Sequence, residues 1–322
     1  MERGKNTKPL LERIGIFGAN AHIGKPMAHE IRERSPNTQL RLIIRSEGHR
    51  AALEKAFPGA EIVIADYYDL PSLERALAGL NGLFIVSPDF LDEDRAMTNL
   101  VYAARANPGL LHIVRLLADP PGMSMARVPD ALRRFGGGTA VQHLRAKAVL
   151  EASGLPFTYI NIAAYFMQNF LTQFNGPIRA ERIFALPRNR RMGFIDTVDI
   201  GRCAASILLS SNQRHVGQTY HLDNGHDVMW MDEVATVMTK AFGETITYDG
   251  TDETFRRLCG PGVRAYAGRP DADEYFIHYF QFEQDNETVW RKTDIVEYLT
   301  GRPATRLYEW LVENKSAILG VD

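Results

Sequence analysis

The sequence predicts an α/β protein in which the N-terminal half forms a doubly wound parallel sheet and the C-terminal half forms a smaller α/β lobe. Through the first half, short apolar runs alternate with stretches that repeat apolar residues at helical spacing. After residue 163 the alternation stops, and aromatic-rich segments such as AYFMQNFLTQF and DEYFIHYFQF follow. Regular alternation is typical of a parallel sheet with helices on both faces, and such sheets bind ligands beyond the carboxyl ends of their strands.

Six strands are predicted along the first half of the chain. They cover residues 13–18, 40–45, 61–66, 82–87, 112–118 and 157–163. A helical pattern bounded by Pro, Gly, Asp or Asn follows each of the first five, at 25–34, 49–57, 70–80, 93–106 and 139–154. Right-handed crossovers between them require a doubly wound sheet. We expect a flexible arm at 1–11, a sheet domain at 12–160 and a substrate lobe at 161–322, with segments near 192–222 rejoining the sheet.

Composition and charge favour a protein that acts on small molecules. The 322 residues carry 37 Lys and Arg against 39 Asp and Glu, so the net charge of −2 gives no field that would attract nucleic acid or a membrane surface. No apolar run is long enough to span a bilayer, and the start, MERGKNTKPLLER, lacks the apolar core of a signal peptide. We expect a cytoplasmic protein with a small-molecule substrate and no nucleic-acid or membrane partner. The sequence leaves open whether the chain forms a homodimer.

Neither the cysteines nor the histidines have the spacing of a metal site. Cys203 and Cys259 form no CxxC pair, and a cytoplasmic address keeps both reduced. His215, His221 and His226 lie close in sequence but lack HxxxH spacing and neighbouring thiols. We therefore expect no metal.

The first predicted strand runs into the segment GANAHIG and then into a helix. Gly18, Ala21 and Gly24 occupy the three positions of a GxxGxxG phosphate loop. The first glycine permits the tight turn, a small middle residue leaves room for a pyrophosphate, and the third glycine lets helix and strand approach closely. The pattern predicts a dinucleotide-binding Rossmann domain, and the alternative is an ordinary strand-to-helix turn. The remaining cofactor-binding candidates in this loop are Asn20, His22, Ile23 and Lys25.

The end of the second strand carries Arg45, about twenty residues after the glycines. An acidic residue there would bind the ribose hydroxyl of NAD, whereas the planar guanidinium of an arginine pairs with a 2′-phosphate. The sequence therefore predicts that NADP(H) is preferred over NAD(H), with Lys25 or Arg50 adding charge. The alternative is a solvated arginine at a strand end.

Further cofactor contacts are expected at the ends of the third and fourth strands. Asp66 ends the third strand, where its side chain is expected to reach the adenine amino group, and Tyr67 follows it. Ser87 and Pro88 follow the fourth strand and are expected to line the cofactor groove.

With these residues in place, the chain resembles the NmrA-like branch of the atypical short-chain dehydrogenase/reductases, which are related to the isoflavone reductases. The similarity extends over nearly the whole chain through the segments FGANAHIGKP, GAEIVIADYYDLPSLERALAGLNGLFIVSP, HIVRLLA, HLRAKAVLEASGLPFTYINIAAYFMQNFL, FIDTVDIGRCAA and GQTYHLDN. The resemblance implies a Rossmann domain, binding of NADP(H) or NAD(H), and a smaller lobe that closes over the nicotinamide end. It implies no single reaction, because the family includes quinone, enone and phenolic-ether reductases as well as redox sensors that bind the cofactor without turnover.

The residues that catalyse proton transfer in ordinary short-chain dehydrogenases are missing. Aligned with that family, Leu117 stands where a serine would polarise the substrate carbonyl, Thr139 stands at the tyrosine position, and His143 at the lysine position. Isoflavone-reductase relatives place a catalytic lysine where His143 stands, so His143 is the candidate for proton transfer or for holding the nicotinamide ribose. Lys147 is a second candidate. The alternative is that Thr139, His143 and Lys147 form a helix stripe facing water.

Beyond the sixth strand, the chain is expected to pass the nicotinamide and enter the substrate lobe. The predicted substrate-pocket residues are Leu117, Asn161, Tyr165, Phe166 and Asn169. Core packing is the alternative, above all for Phe166. The basic run LPRNRRMG at 186–193 is interpreted as a solvated turn, and the aromatic residues of DEYFIHYFQFEQ as pocket wall, core or oligomer contact.

Three functions are compatible with these residues. The first is an NADP(H)-dependent oxidoreductase that reduces a quinone, enone or aromatic carbonyl compound, with protonation through His143 or water. The second is a sensor that binds NADP(H) without turnover, which the missing serine and tyrosine favour. The third is a lyase or isomerase that uses His143 as a general base.

Overall fold

The computed structural model describes residues 7–119, 123–162, 164–286 and 292–321. The strands are β1 (Arg13–Phe17), β2 (Gln39–Ile44), β3 (Glu61–Ile64), β4 (Gly82–Ile85), β5 (His112–Leu117), β6 (Phe157–Ile162), β7 (Ala164–Phe166), β8 (Ile183–Ala185), β9 (Arg191–Ile195), β10 (Thr219–Leu222), β11 (Val228–Trp230) and β12 (Thr247–Asp249). The helices are α1 (Gly24–Arg34), α2 (Arg50–Ala56), α3 (Leu70–Leu77), α4 (Glu93–Arg105), α5 (Asp130–Arg133), α6 (Thr139–Ala152), α7 (Asn169–Thr172), α8 (Asn175–Glu181), α9 (Thr197–Leu209), α10 (Met231–Phe242), α11 (Asp252–Leu258), α12 (Gly260–Ala267), α13 (Ala272–Asn286), α14 (Ile295–Thr300), α15 (Leu307–Glu313) and α16 (Lys315–Leu319).

Seven strands form one parallel sheet in the order β10-β6-β5-β4-β1-β2-β3. The chain leaves β3 at one edge and crosses to β4 on the other side of β1, which makes the sheet doubly wound and places a switch point between β1 and β4. The predicted α/β, Rossmann-type fold class is therefore confirmed. Each predicted strand ends within two residues of the observed one, and Ala163, the predicted last residue of the sixth, lies outside the described residues.

Two apolar layers cover the faces of this sheet. On one face, alternate strand residues such as Ile14 and Ile16 pack against α1 and α9. A Cβ at Gly201 of α9 would lie 2.8 Å from the carbonyl oxygen of Ile23, so the glycine permits the close approach of these two helices. The opposite face, with residues such as Ile113, packs against α3, α4 and α6.

The C-terminal lobe is built around a second, aromatic-rich core. Its strands form a three-stranded sheet in the order β11-β9-β7 and a two-stranded sheet of β12 and β8. The segments near 192–222 divide between the two units: β10 pairs with β6 and α9 packs on the main sheet, whereas β9 joins the three-stranded sheet. The expected boundary after residue 160 falls inside β6, which continues to Ile162. Within the described ranges, no helix has the length and apolar character needed to cross a membrane.

Residues 7–11, which were expected to belong to a flexible arm, are packed on the sheet domain, and residues 1–6 lie outside the described part. Thr7 forms a bridge with Asn212, and Leu11 is buried. Lys8 is also buried, and its Nζ donates a hydrogen bond of 3.1 Å to the carbonyl oxygen of Leu208 in the last turn of α9. A lysine is favourable there because the last carbonyls of a helix carry partial negative charge and lack intrahelical partners.

Candidate active site

The loop between β1 and α1 has the backbone geometry that its glycines predict. Gly18 has φ +64°, a left-handed conformation that favours glycine, and its carbonyl accepts a hydrogen bond of 2.9 Å from the backbone of Ala21. A Cβ at Gly24 would lie 2.4 Å from the Gly18 carbonyl oxygen. Helix α1 begins without a side-chain cap. The backbone N–H of Lys25 donates to the Ala21 carbonyl at 3.1 Å and Pro26 has no N–H, so the N–H of Gly24 is the group in this first turn that is available to an anion. These features fit a bound pyrophosphate.

The cations expected beside this loop differ in their availability. Arg45 and Lys25 are exposed, and among the described residues no hydrogen bond or salt bridge engages the Arg45 side chain. Arg50 is committed elsewhere, because its guanidinium binds the Glu47 carboxylate at 2.5 Å and the Ile62 carbonyl at 3.0 Å. Arg45 is therefore the better placed of the two arginines to bind a ligand phosphate.

Asp66 and Tyr67, the cofactor contacts expected after the third strand, differ in exposure. Asp66 is exposed after β3, and one of its carboxylate oxygens accepts a hydrogen bond of 2.8 Å from the backbone of Tyr68. Tyr67 is buried, stacks on Phe17 at 4.8 Å between ring centroids, and donates a hydrogen bond of 2.9 Å to the carbonyl of Val86. The Tyr67 side chain therefore supports the end of β4 from the core.

A cavity of about 310 Å³ connects the phosphate loop with the substrate lobe. The predicted residues that line it are Ala21, His22, Ile23, Gly24, Ser87, Pro88, Leu117, His143, Tyr165, Phe166 and Asn169. The predicted residues that do not line it are Gly18, Asn20, Lys25, Arg45, Asp66, Tyr67, Lys147 and Asn161. The cavity thus joins the ends of β1, β4 and β5 to the first residues of the lobe.

His143 lines the cavity, but its chemistry differs from the expected one. Its Nδ1 atom is buried and, among the described residues, has no hydrogen-bond partner. Burial, together with the nearby positive charge of Arg115, lowers the pKa of His143 to about 3. The imidazole is therefore neutral at neutral pH. This corrects the expectation that His143 exchanges protons near pH 7, and it makes the residue a weak general base for a lyase or isomerase reaction.

Lys147 and Asn161 do not line the cavity, and each has partners among the neighbouring residues. Lys147 lies one turn beyond His143 on α6, and its Nζ is 3.5 Å from a carboxylate oxygen of Asp119 and 3.9 Å from one of Glu151. Asn161 accepts a hydrogen bond from the backbone of Asp119 at 2.7 Å and donates to the same residue's carbonyl at 2.8 Å. The Lys147 ammonium is therefore engaged by carboxylates outside the cavity, and the Asn161 amide by the backbone of Asp119.

A buried polar cluster below the cavity was not predicted from the sequence. Arg115 on β5 and Glu93 on α4 are both fully buried, and they form a salt bridge of 2.9 Å. Arg115 also donates to the hydroxyl of Ser87 at 2.7 Å, and Ser87 hydrogen-bonds to Glu93. Gln142, the neighbour of His143 on α6, donates to the Pro88 carbonyl at 2.7 Å and accepts from the backbone of Phe90 at 2.8 Å. The cluster fixes the loop after β4 against α6. An arginine inside the apolar run HIVRLL was the signal that could have revealed it.

A second buried ion pair lies at the far end of the cavity. Arg190 is 2% exposed and binds the carboxylate of Glu283 at 2.7 Å. The hydroxyl of Tyr165 donates to Glu283 at 3.0 Å and accepts a hydrogen bond from Arg190. Burial raises the pKa of Tyr165 well above its ordinary value. The interpretation of the basic run as a solvated turn is therefore wrong for Arg190, because its partner lies 93 residues away on α13.

Helix α13 contributes an aromatic wall to the cavity. Its lining residues, Phe276, Tyr279, Phe280 and Glu283, repeat at the spacing of one helix face. Of the interpretations open for this segment, the structure selects pocket wall for this face, and it selects core for residues such as Tyr275 and Phe282. The helical spacing of the three aromatic residues with Glu283 was the signal that could have found it.

Asp89 is a further cavity residue that sequence reasoning missed. It follows Pro88 in the loop after β4, and its carboxylate accepts a hydrogen bond of 3.4 Å from the hydroxyl of Thr139 at the start of α6. Burial is the largest influence on Asp89 and raises its pKa. No salt bridge to Asp89 is found within the described residues.

Comparison with known proteins gives relatives that match over almost the full length of the chain. A (4-alkanoyl-5-oxo-2,5-dihydrofuran-3-yl)methyl phosphate reductase from Streptomyces griseus is 26% identical over 94% of this chain and 98% of its own length. The structure of a triphenylmethane reductase from Citrobacter sp. complexed with NADP(H) is 21% identical, with a TM-score of 0.74 over 94% of this chain and 99% of that one. An NADPH-dependent quinone oxidoreductase from Escherichia coli, complexed with NADPH, is 21% identical, with a TM-score of 0.73 over 93% of this chain and 99% of that one.

The sequence model of the NmrA-like family matches residues 11–310. This range includes the phosphate loop, the buried cluster of Arg115, and the aromatic wall of α13. The chain therefore belongs to the NmrA-like family.

Proposed function

We propose that this chain is an NADP(H)-dependent reductase of a conjugated small molecule such as a quinone, an enone or an aromatic carbonyl compound. The observation that carries the proposal is the continuity of the cavity, which begins at the phosphate loop and ends among the aromatic side chains of the lobe. One space of this shape lets a dinucleotide and a flat apolar acceptor meet. The reductase from Streptomyces griseus and the oxidoreductase from Escherichia coli support the same reaction class.

The residues of the first two strand ends fit NADP(H). Gly18 and Gly24 leave room for the pyrophosphate, which the uncapped N-terminus of α1 is expected to bind. The exposed guanidinium of Arg45 and the ammonium of Lys25 are expected to bind the 2′-phosphate, and Asp66 the adenine amino group. A bound reduced nicotinamide supplies a hydride.

The remaining residues of the cavity orient the acceptor and exclude water. Phe166 and Phe276 offer apolar faces against which a conjugated ring can stack. His143 is neutral, so at neutral pH it lacks the acidic proton of an imidazolium, but its ring is available to hydrogen-bond the cofactor ribose or the substrate. The proton that a quinone or carbonyl oxygen needs is therefore expected to come from water.

A second candidate function, binding of NADP(H) without turnover, is favoured by one observation. Leu117, Thr139 and His143 occupy the positions of the usual serine, tyrosine and lysine, and the low pKa of His143 removes the one replacement acid among them. A protein of this kind would bind the cofactor but leave it unoxidised with every acceptor.

The first test is a fluorescence titration of the purified chain with NADPH and NADH, repeated with Arg45→Asp. Removing the guanidinium and adding a carboxylate beside the 2′-phosphate should weaken NADPH binding at least about tenfold and leave NADH binding nearly unchanged. Lys55→Asp is the matched control, because it makes the same charge change at an exposed residue in the last turn of α2, away from the end of β2.

Each result of this titration decides one part of the proposal. Equal affinity for NADPH and NADH in the wild type would refute the NADP(H) preference, and equal losses in the two variants would remove Arg45 from the site. Binding of neither cofactor would overturn the reductase proposal. Oxidation of NADPH with a panel of quinones and enones would then separate a reductase from a protein that only binds the cofactor.

A further inference from the structure

The charge of the cavity lining is acidic. In the described part of the chain, the lining contains two carboxylates, Asp89 and Glu283, and neither lysine nor arginine. Arg190, which does not line the cavity, offsets the negative charge of Glu283 through the 2.7 Å salt bridge. Asp89 has only the Thr139 hydroxyl, at 3.4 Å, and no basic partner among the described residues. The cavity therefore presents one uncompensated carboxylate to whatever binds beside it.

Within the described residues, the same lining offers no lysine or arginine that would stabilise an oxyanion, and its further donors, such as Tyr266, Asn169 and Gln173, are uncharged groups. Reduction of a neutral carbonyl or quinone puts negative charge on oxygen, which enzymes stabilise with aimed N–H or O–H donors or with cations. Here the hydroxyls of Ser87, Thr139 and Tyr165 are each hydrogen-bonded to a carboxylate. His143 is neutral, with Arg115 behind it paired to Glu93.

A conjugated cation fits this site better than a conjugated anion. Its ring can stack on Phe166 and Phe276, whose faces carry partial negative charge, and its charge is attracted to Asp89. Hydride transfer to such an acceptor also needs no acid. One C–H bond of the reduced nicotinamide breaks, its electron pair forms one C–H bond on the acceptor carbon, the acceptor becomes neutral, and the oxidised nicotinamide takes up the positive charge.

We propose that the preferred acceptors of this site are cationic conjugated molecules, such as iminium-type or N-alkylated aza-aromatic ions, and that Asp89 selects for them. The inference rests on the proposed reductase function and goes beyond it by ranking substrates by charge. Anionic acceptors rank last, because within the described lining no cation offsets their repulsion by Asp89.

The test measures kcat/KM with NADPH for three flat acceptors of similar size: N-methylacridinium, naphthoquinone and naphthoquinone sulfonate, each corrected for the rate without protein. The expected order is cation, neutral, anion. Asp89→Asn should reduce the ratio of cation to neutral rates about tenfold, which corresponds to about 1.4 kcal/mol for the loss of one unit-charge attraction. Asp94→Asn is the matched control, since this exposed carboxylate in the first turn of α4 does not line the cavity.

The outcomes separate this inference from the proposed function. Turnover of naphthoquinone with no preference for acridinium, or an equal ratio in Asp89→Asn and wild type, overturns the charge selection and leaves the reductase intact. Turnover of acridinium alone supports the charge selection and removes neutral acceptors from the proposed function. No turnover of any acceptor by a protein that binds NADPH overturns both.

Discussion

Replacement of Gly24 by alanine tests the geometry on which the cofactor site depends. The added Cβ would lie 2.4 Å from the carbonyl oxygen of Gly18, 2.8 Å from its carbonyl carbon and 3.0 Å from the Cα of Ala19. These are backbone atoms of a tight turn and cannot rotate away, so α1 has to move by about 1 Å to restore ordinary contact distances. Overpacking of this kind typically costs about 1–3 kcal/mol in the free energy of unfolding.

Two measurements check this prediction. The midpoint of thermal unfolding should fall by roughly 2–10 °C. NADPH affinity should fall at least about tenfold, because the displaced N–H groups of α1 lose a charge-assisted hydrogen bond to the phosphate, worth roughly 1.5–3 kcal/mol. Gly48→Ala is the control, since a Cβ there meets nothing within 4 Å. If Gly24→Ala matched Gly48→Ala in both measurements, the close approach of helix and loop would not be what forms the site.

Two further predictions concern the buried groups below the cavity. Arg115→Met should lower the free energy of unfolding in urea by about 3–5 kcal/mol, because it leaves the fully buried Glu93 without its cation. The double variant Arg115→Met with Glu93→Gln should recover part of that loss. A double variant as unstable as the single one would contradict this. His143 has a folded pKa of about 3 against 6.5 when unfolded, so the unfolded chain binds the extra proton and this residue's contribution to stability is lost as pH falls from 6.5 towards 3. His143→Gln removes this titrating group, so the unfolding free energy of the variant should fall less steeply with decreasing pH, by up to about 1.4 kcal/mol per pH unit. Parallel plots of unfolding free energy against pH for the two proteins would refute this prediction.

The strands and helices of the first half were predictable because each is specified by its own sequence. A central parallel strand is buried on both faces, so β4 and β5 read as apolar runs that end at turn residues. The lobe gave weaker signals. The segment of β9 has the same apolar character as a central strand, and β11, the antiparallel partner that places it in the second sheet, has only three residues. A run this short carries little period-2 pattern.

In the candidate site, too, some features are encoded by adjacent residues and others depend on contacts between residues far apart in the sequence. The phosphate loop is local, because the turn, the small residues and the helix start are all encoded in seven residues. Arg190 looks like part of a charged turn until α13 brings Glu283 to it. His143 looks like an ordinary acid–base residue until the fold buries it and β5 places Arg115 nearby. Burial and charge partners depend on tertiary contacts, so the residue types alone gave the wrong protonation state for His143 and the wrong exposure for Arg190.

The phosphate-loop edge of the sheet and the inner end of the cavity have opposite electrostatic preferences, and this opposition constrains how ligands can bind. Arg45, Lys25 and the N-terminus of α1 attract the anionic phosphates to the open edge of the sheet, whereas Asp89 repels them from the inner end. A dinucleotide is therefore expected to enter with its phosphates outermost and its nicotinamide towards the aromatic wall. Because His143 is neutral, its imidazole does not shift that balance between pH 5 and 8, and the charges that a second ligand meets at the inner end include those of Asp89 and of the cofactor itself.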